Sequence, residues 1–180
     1  FGASQISPED AVRNAIRFVK EGGAQAVKLE GGVTMADTIA RIARAEIPVM
    51  GHVGLTPQAV HRMGGFRVQG RSVEEAAHVL ADAEAVQEAG AFAVVLEGMP
   101  AELAAEITRK LEIPTIGIGA GPACDGQVLV LHDMLGLNDW TPSFVKQYAD
   151  LGAAASRAAR AFAEDVAAQK FPAEEHCYEA

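Results

Sequence analysis

Short apolar runs of strand-forming residues alternate with amphipathic runs of helical period along most of the chain, and this alternation restricts the fold more than any other feature. The runs 47–52, 92–97 and 113–118 are each a few residues long and mostly apolar, 127–132 has the same character, and 24–30 is a short strand-like run that also carries Gln25, Lys28 and Glu30. Between them apolar residues recur every three or four positions: Val12, Ala15, Ile16 and Val19; Met35, Ile39 and Ile42; Ala76, Leu80, Ala83 and Val86; Leu103, Ile107 and Leu111. Strands apolar on both sides and separated by helices pair in parallel, with both faces of the sheet covered. The expected order is α, β, α, β, loop, α, β, α, β, β, α.

The punctuation agrees with that order. Ser7-Pro8-Glu9-Asp10 predicts a helix start, with Ser as the cap, Pro in the first turn and acids near the positive end of the dipole. Ser72 with Glu75 predicts a capping box. Thr34 can cap the second helix, and the Ala-rich stretch 144–170 predicts a long last one, broken near Gly152. With no repeat beyond the βα unit and no low-complexity linker, residues 1–180 are read as a single domain.

A doubly wound sheet and a barrel both satisfy this pattern, and the strand ends favour the barrel. Leu29-Glu30-Gly31, Gly51-His52-Val53-Gly54 and Leu96-Glu97-Gly98 place a polar side chain at the C-terminal end of three different strands. Barrel enzymes assemble sites that way, whereas a doubly wound sheet concentrates its ligand at one switch point. Five strands cannot close an eight-stranded barrel, so three more are expected before Phe1. Phe1-Gly2-Ala3-Ser4 reads as the middle of a loop, and the chain is expected to be the C-terminal portion of a longer polypeptide.

The charge balance narrows the partners. Fifteen basic residues against 24 acidic ones leave a net charge of −9, which disfavours nucleic acid and anionic membrane. No apolar run approaches the roughly 20 residues of a membrane span. The two cysteines, Cys124 and Cys177, form neither a metal spacing nor a disulfide framework, which suits a reducing, cytoplasmic compartment.

Lys28 and Glu30 leave the same face of their strand, because side chains two apart point the same way. They form either a structural ion pair or a cation for an anionic substrate beside a carboxylate for a metal or water; their place at the rim favours the second. Glu97, with apolar residues behind it, is a candidate general base or else an exposed loop residue. His52 alone reads as a strand-end histidine and gains weight from Lys28, Glu30 and Glu97.

The glycine-rich runs count for less. Gly117, Gly119 and Gly121 fail the dinucleotide fingerprint because position 122 is Pro, and 64–71 lacks the Lys-Ser/Thr of a phosphate loop. The segment 64–71 is a plain mobile loop or one that closes over substrate, and its place after the His52 strand suits the latter. Asp125 and Asp133 read as turn residues, and Glu174-Glu175-His176-Cys177 as a solvated terminus.

Several runs together resemble one family. Val27-Lys-Leu-Glu-Gly-Gly32, Gly51-His-Val-Gly-Leu-Thr-Pro-Gln58, Gly64-Gly-Phe-Arg-Val-Gln-Gly-Arg71, Val95-Leu-Glu97, Ile116-Gly-Ile-Gly-Ala-Gly121 and Phe171-Pro-Ala-Glu-Glu-His176 are similar, in order and spacing, to ketopantoate hydroxymethyltransferases. The resemblance implies a (βα)8 barrel of the phosphoenolpyruvate-binding superfamily, forming a large homo-oligomer, typically a decamer. It implies transfer of a hydroxymethyl unit from 5,10-methylenetetrahydrofolate to 3-methyl-2-oxobutanoate, giving ketopantoate for pantothenate and coenzyme A synthesis. It further implies a Mg²⁺ ion in each subunit, which the oxo acid chelates through its carboxylate and keto oxygens. On matching positions, Lys28 and His52 bind the oxo acid, Glu30 lies next to the metal and Glu97 is the catalytic base. The family's two directly coordinating aspartates belong to earlier segments and have no counterpart here; Phe1 resembles the Phe following the second. A Mg-dependent 2-oxo acid aldolase or lyase of the same superfamily, and an inactive scaffold fragment, are the alternatives.

Overall fold

The computed structural model describes residues 1–179. By contacts these fall into two compact units, 1–128 and 129–179, and the five strands belong to the first.

Helix α1 (Pro8–Lys20) starts as its sequence dictates: the Ser7 side chain accepts the Asp10 N–H at 3.1 Å, and Ala11 and Ala15 are buried beneath it. Strand β1 (Val27–Glu30) is followed by a 3₁₀ turn, Val33–Met35, and by α2 (Ala36–Arg44). Thr34 does not cap α2. It lies inside the 3₁₀ turn, and the Val33 N–H is taken instead by the Asp82 carboxylate, 2.8 Å away from a later helix. Strand β2 (Val49–Gly54) leads into a 3₁₀ turn, Pro57–Ala59, and the one-turn α3 (Val60–Met63). Helix α4 (Val73–Glu88) opens with the expected capping box between Ser72 and Glu75. Strand β3 (Ala93–Glu97), α5 (Ala101–Lys110) and β4 (Thr115–Ile118) complete the regular alternation.

The fifth strand is shorter than its apolar run suggests. Only Gly126–Gln127 forms β5, and Leu131–Met134 turns into the short helix α6. β4 ends at Ile118 and Gly119 turns away at φ 59°, so after the Val128 N–H bonds the Gly117 carbonyl there is no further backbone to pair with.

The five strands lie in sequence order and are all parallel, with Glu30 beside His52, His52 beside Val95, Gly54 beside Glu97 and Glu97 beside Ile118. Because side chains alternate along a strand, this register sorts them into two faces. Leu29, Val49, Val53, Val94 and Leu96 point one way and join Ile39, Ile42, Val86, Leu103 and Ile107 from the helices in one buried core. Gly51 belongs to that face, where a Cβ would overlap the Val86 side chain, so glycine lets α4 lie close on the sheet. Lys28, Glu30, His52 and Glu97 share the opposite face.

In the second unit α7 spans Leu151–Ala167 and starts later than the expected 144, because Asp150 supplies the cap by accepting the Ala153 N–H. Gly152 does not break the helix. It lies in the first turn, where its N–H bonds the Gly136 carbonyl at 3.0 Å and a Cβ would press to 2.8 Å of that oxygen. No helix among the described residues is long and apolar enough to cross a membrane.

Candidate active site

Strand geometry brings the four polar residues together at the C-terminal ends of β1, β2 and β3. His52 is the centre, only 2% exposed. Its Nδ1 lies 3.1 Å from Lys28 Nζ and 3.8 Å from Glu30 Oε1, and its Nε2 lies 3.0 Å from Glu97 Oε2. An ammonium has only protons to offer, so the Lys28 contact makes Nδ1 the acceptor and places the ring proton on Nε2. That proton faces the Glu97 carboxylate but off the line of a directed hydrogen bond, and Nε2 has no hydrogen-bond partner. A buried donor without a partner is costly, on the order of 1–3 kcal/mol, and such groups collect where a ligand will bind.

Burial grades outward from the imidazole. The Glu30 and Glu97 side chains retain 9% and 15% of their exposure, while Lys28 is open to solvent. Glu30 is held by a loop that the residue pattern did not single out for this role: its Oε2 accepts the Gln58 backbone N–H at 2.9 Å. Gln58 follows Pro57 at the end of the Gly51–Gln58 run, and only the fold shows which acid that N–H meets. Glu97 is fixed through its backbone, whose carbonyl accepts the Leu55 N–H at 2.8 Å. Gly54, at φ 88°, has no Cβ to strike that carbonyl.

Two further acids hold loops outside the rim, Asp82 at the turn after β1 and Asp125 at the start of β4. Asp82, by holding the Val33 N–H, fixes the turn that follows Glu30, and Gly32 leaves room for it. Asp125 accepts both the Thr115 N–H at 2.8 Å and the Thr115 hydroxyl at 3.0 Å, tying the loop after β4 back to its strand. The Thr115 backbone bond, reinforced by its hydroxyl, holds the Asp125 carboxyl below the usual carboxylate range.

Among the described residues no three His, Cys, Asp or Glu side chains converge as a metal site. Glu30 can offer a hard cation one carboxylate oxygen, since the other is engaged by Gln58. These residues do not by themselves make a magnesium shell.

Parallel strands alternating with helices, with ionisable side chains gathered at the C-terminal ends of three strands, define this chain as a five-strand portion of a (βα)8 barrel. Phosphonopyruvate hydrolase shares the fold, with a TM-score of 0.53 at 12% identity over 99% of this chain and 63% of that one. The family model for ketopantoate hydroxymethyltransferase matches residues 1–174, and the chain belongs to that family. It is 60% identical over 179 residues to the 3-methyl-2-oxobutanoate hydroxymethyltransferase of Trichlorobacter lovleyi, covering 99% of this chain and 67% of the relative. It is 56% identical to the protein of the same name from Pelobacter propionicus, covering 99% of this chain and 66% of the relative. It thus spans about two thirds of the length of these relatives.

Proposed function

We propose that the protein transfers a hydroxymethyl group from 5,10-methylenetetrahydrofolate to 3-methyl-2-oxobutanoate, and that Lys28, Glu30, His52 and Glu97 carry the oxo acid half of the reaction. One observation supports this most: the Glu97 carboxylate stands 3.0 Å from a buried imidazole nitrogen that has no hydrogen-bond partner, with an exposed ammonium on the other side of the ring. An acid–base pair and a cation side by side match a small anion that must lose a proton.

The roles follow from exposure and charge. Lys28, open to solvent, offsets the oxo acid carboxylate. Glu97 takes the proton from C3, a step for which a positioned base is worth about 10²–10⁴ in rate. The His52 Nε2–H, already off the Glu97 line, donates to the oxygen on which negative charge develops. Water supplies the hydroxyl: both C–N bonds of the methylene bridge break, each folate nitrogen takes one of the water's protons, the enolate carbon bonds to the released carbon that now carries the water's oxygen, and the proton held on Glu97 passes to that oxygen. Glu30, clamped by Gln58, presents its free oxygen on the same side as the Lys28 ammonium. The reading includes Mg²⁺, which when bound would polarise the keto oxygen, with Glu30 as its neighbour; the residues of this chain supply too few ligands for a step to be routed through it. It also includes assembly into a homo-oligomer, small-molecule partners only and a cytoplasmic location.

The test is product formation by the full-length protein from 3-methyl-2-oxobutanoate and Mg²⁺, with and without 5,10-methylenetetrahydrofolate. Ketopantoate formed only with the folate supports the reading. Turnover of the oxo acid without folate would point to an aldolase or lyase, and absence of both activities to a scaffold.

A further inference from the structure

The segment linking β2 to α4 carries a charge that the rest of the chain does not share. From Leu55 to Ser72 there are Arg62, Arg67, Arg71 and His61 and no acidic residue, within a chain of 24 acids and 15 bases. Elsewhere in the sheet unit Arg13, Arg17 and Arg41 each form an ion pair and Arg44 donates to the Ala40 carbonyl, leaving Arg109 at the end of α5 as a lone exposed arginine. Arg62, Arg67 and Arg71 are exposed and, among the described residues, their side chains have no ion-pair or hydrogen-bond partner.

This segment is pinned to the candidate site at both ends. The Gln58 N–H bonds Glu30, and the Gln69 N–H bonds the Gly98 carbonyl at 2.8 Å, next to Glu97. It forms a strap over the rim on either side of His52. Its middle holds Arg62, Phe66 and Arg67, with Phe66 71% exposed, while Gly64 and Gly65 at positive φ turn the chain between the two arginines. His61 and Arg62 line a cavity of about 390 Å³ whose wall includes Glu30, Thr34, Thr56 and Gln58.

Lys28 already provides a cation for the small oxo acid, so the strap's cations are additional. None of them is among the contacts of the acid–base cluster, which leaves them for a second part of the bound molecules. Free guanidinium groups on the same strap as an exposed aromatic ring fit a ligand with a flat aromatic body and a carboxylate tail. On a surface that otherwise repels anions, an acid-free strap is also where such a tail can approach.

We propose that Arg62 and Arg67, with Phe66 between them, bind the aromatic body and glutamate carboxylates of the folate one-carbon donor. This rests on the transferase reading and assigns the donor a place in it. Each solvent-exposed guanidinium–carboxylate pair is worth about two- to fivefold in affinity, so losing both weakens donor binding about tenfold.

The experiment measures binding of tetrahydrofolate carrying one or five glutamates to the full-length protein, alongside the Michaelis constants for both substrates. Expected for Arg62→Ala/Arg67→Ala are a roughly tenfold weaker hold on the pentaglutamate, a smaller loss for the monoglutamate and an unchanged constant for 3-methyl-2-oxobutanoate. Arg109→Ala, which removes one charge at the far end of α5, should leave donor binding unaltered. Equal effects on both substrates, or unaltered donor binding in the double variant, overturn the assignment. In either case folate-dependent ketopantoate formation by the wild type leaves the transferase reading standing. Failure of the wild type to bind tetrahydrofolate overturns both.

Discussion

Replacing Lys28 with Met keeps most of the unbranched stem and removes the ammonium, which makes it a direct probe of how the His52 ring is set. In the structure three groups compete for the imidazole proton. Lys28 at 3.1 Å forces Nδ1 to accept, Glu97 at 3.0 Å favours a proton on Nε2, and Glu30 at 3.8 Å from Nδ1 pulls the other way. A hydrogen bond to a charged group is worth about 1.5–3 kcal/mol. Lys28 is exposed, so solvent screening brings this to about 1 kcal/mol. Its loss should therefore lower the ratio of the Nε2–H to the Nδ1–H tautomer about fivefold, since 1.4 kcal/mol is about a factor of ten. The assay is the pair of imidazole ¹⁵N shifts of His52 in the full-length protein labelled at histidine. The wild type should show a protonated Nε2 and a bare Nδ1, and Lys28→Met a population-weighted shift toward Nδ1–H. A wild-type ring protonated at Nδ1, or shifts that ignore the substitution, would refute the reasoning.

Three other outcomes follow from the packing and the caps. Gly51→Ala puts a methyl into the Val86 side chain and should cost about 1–3 kcal/mol of stability by denaturant unfolding, as overpacked cores do. Ser72→Ala removes the acceptor for the Glu75 N–H and should cost about 1 kcal/mol in the same measurement. Asp125→Asn tests the depressed carboxyl. A group whose folded value lies below its unfolded one stabilises above the unfolded value and loses that contribution as pH falls toward the folded one. Stability measured across acidic pH should therefore fall less steeply in Asp125→Asn than in the wild type.

Much of this was legible in the sequence because its causes are local. Ser7 and Ser72 cap the helices they precede, with partners three residues away. The period-two rule put Lys28 and Glu30 on one face, and the strand ends brought His52 and Glu97 to the same rim. What escaped depends on distant partners. The Asp82 carboxylate reaches a turn 49 positions earlier, and the Gln58 N–H reaches Glu30 across 28. The run 127–132 has strand composition, yet β4 ends too soon to pair with most of it. Asp125, read as a turn residue, does close a turn, and the additional fact that it grips Thr115 depends on β4 already being in place.

Exchange of the C3 hydrogen of 3-methyl-2-oxobutanoate for deuterium, followed by proton NMR in D₂O without any folate, isolates the step assigned to this rim. The full-length wild type should catalyse it, and Glu97→Gln, which keeps the shape of the side chain and removes the base, should slow it about 10²–10⁴-fold. Exchange at the wild-type rate in Glu97→Gln would contradict the account.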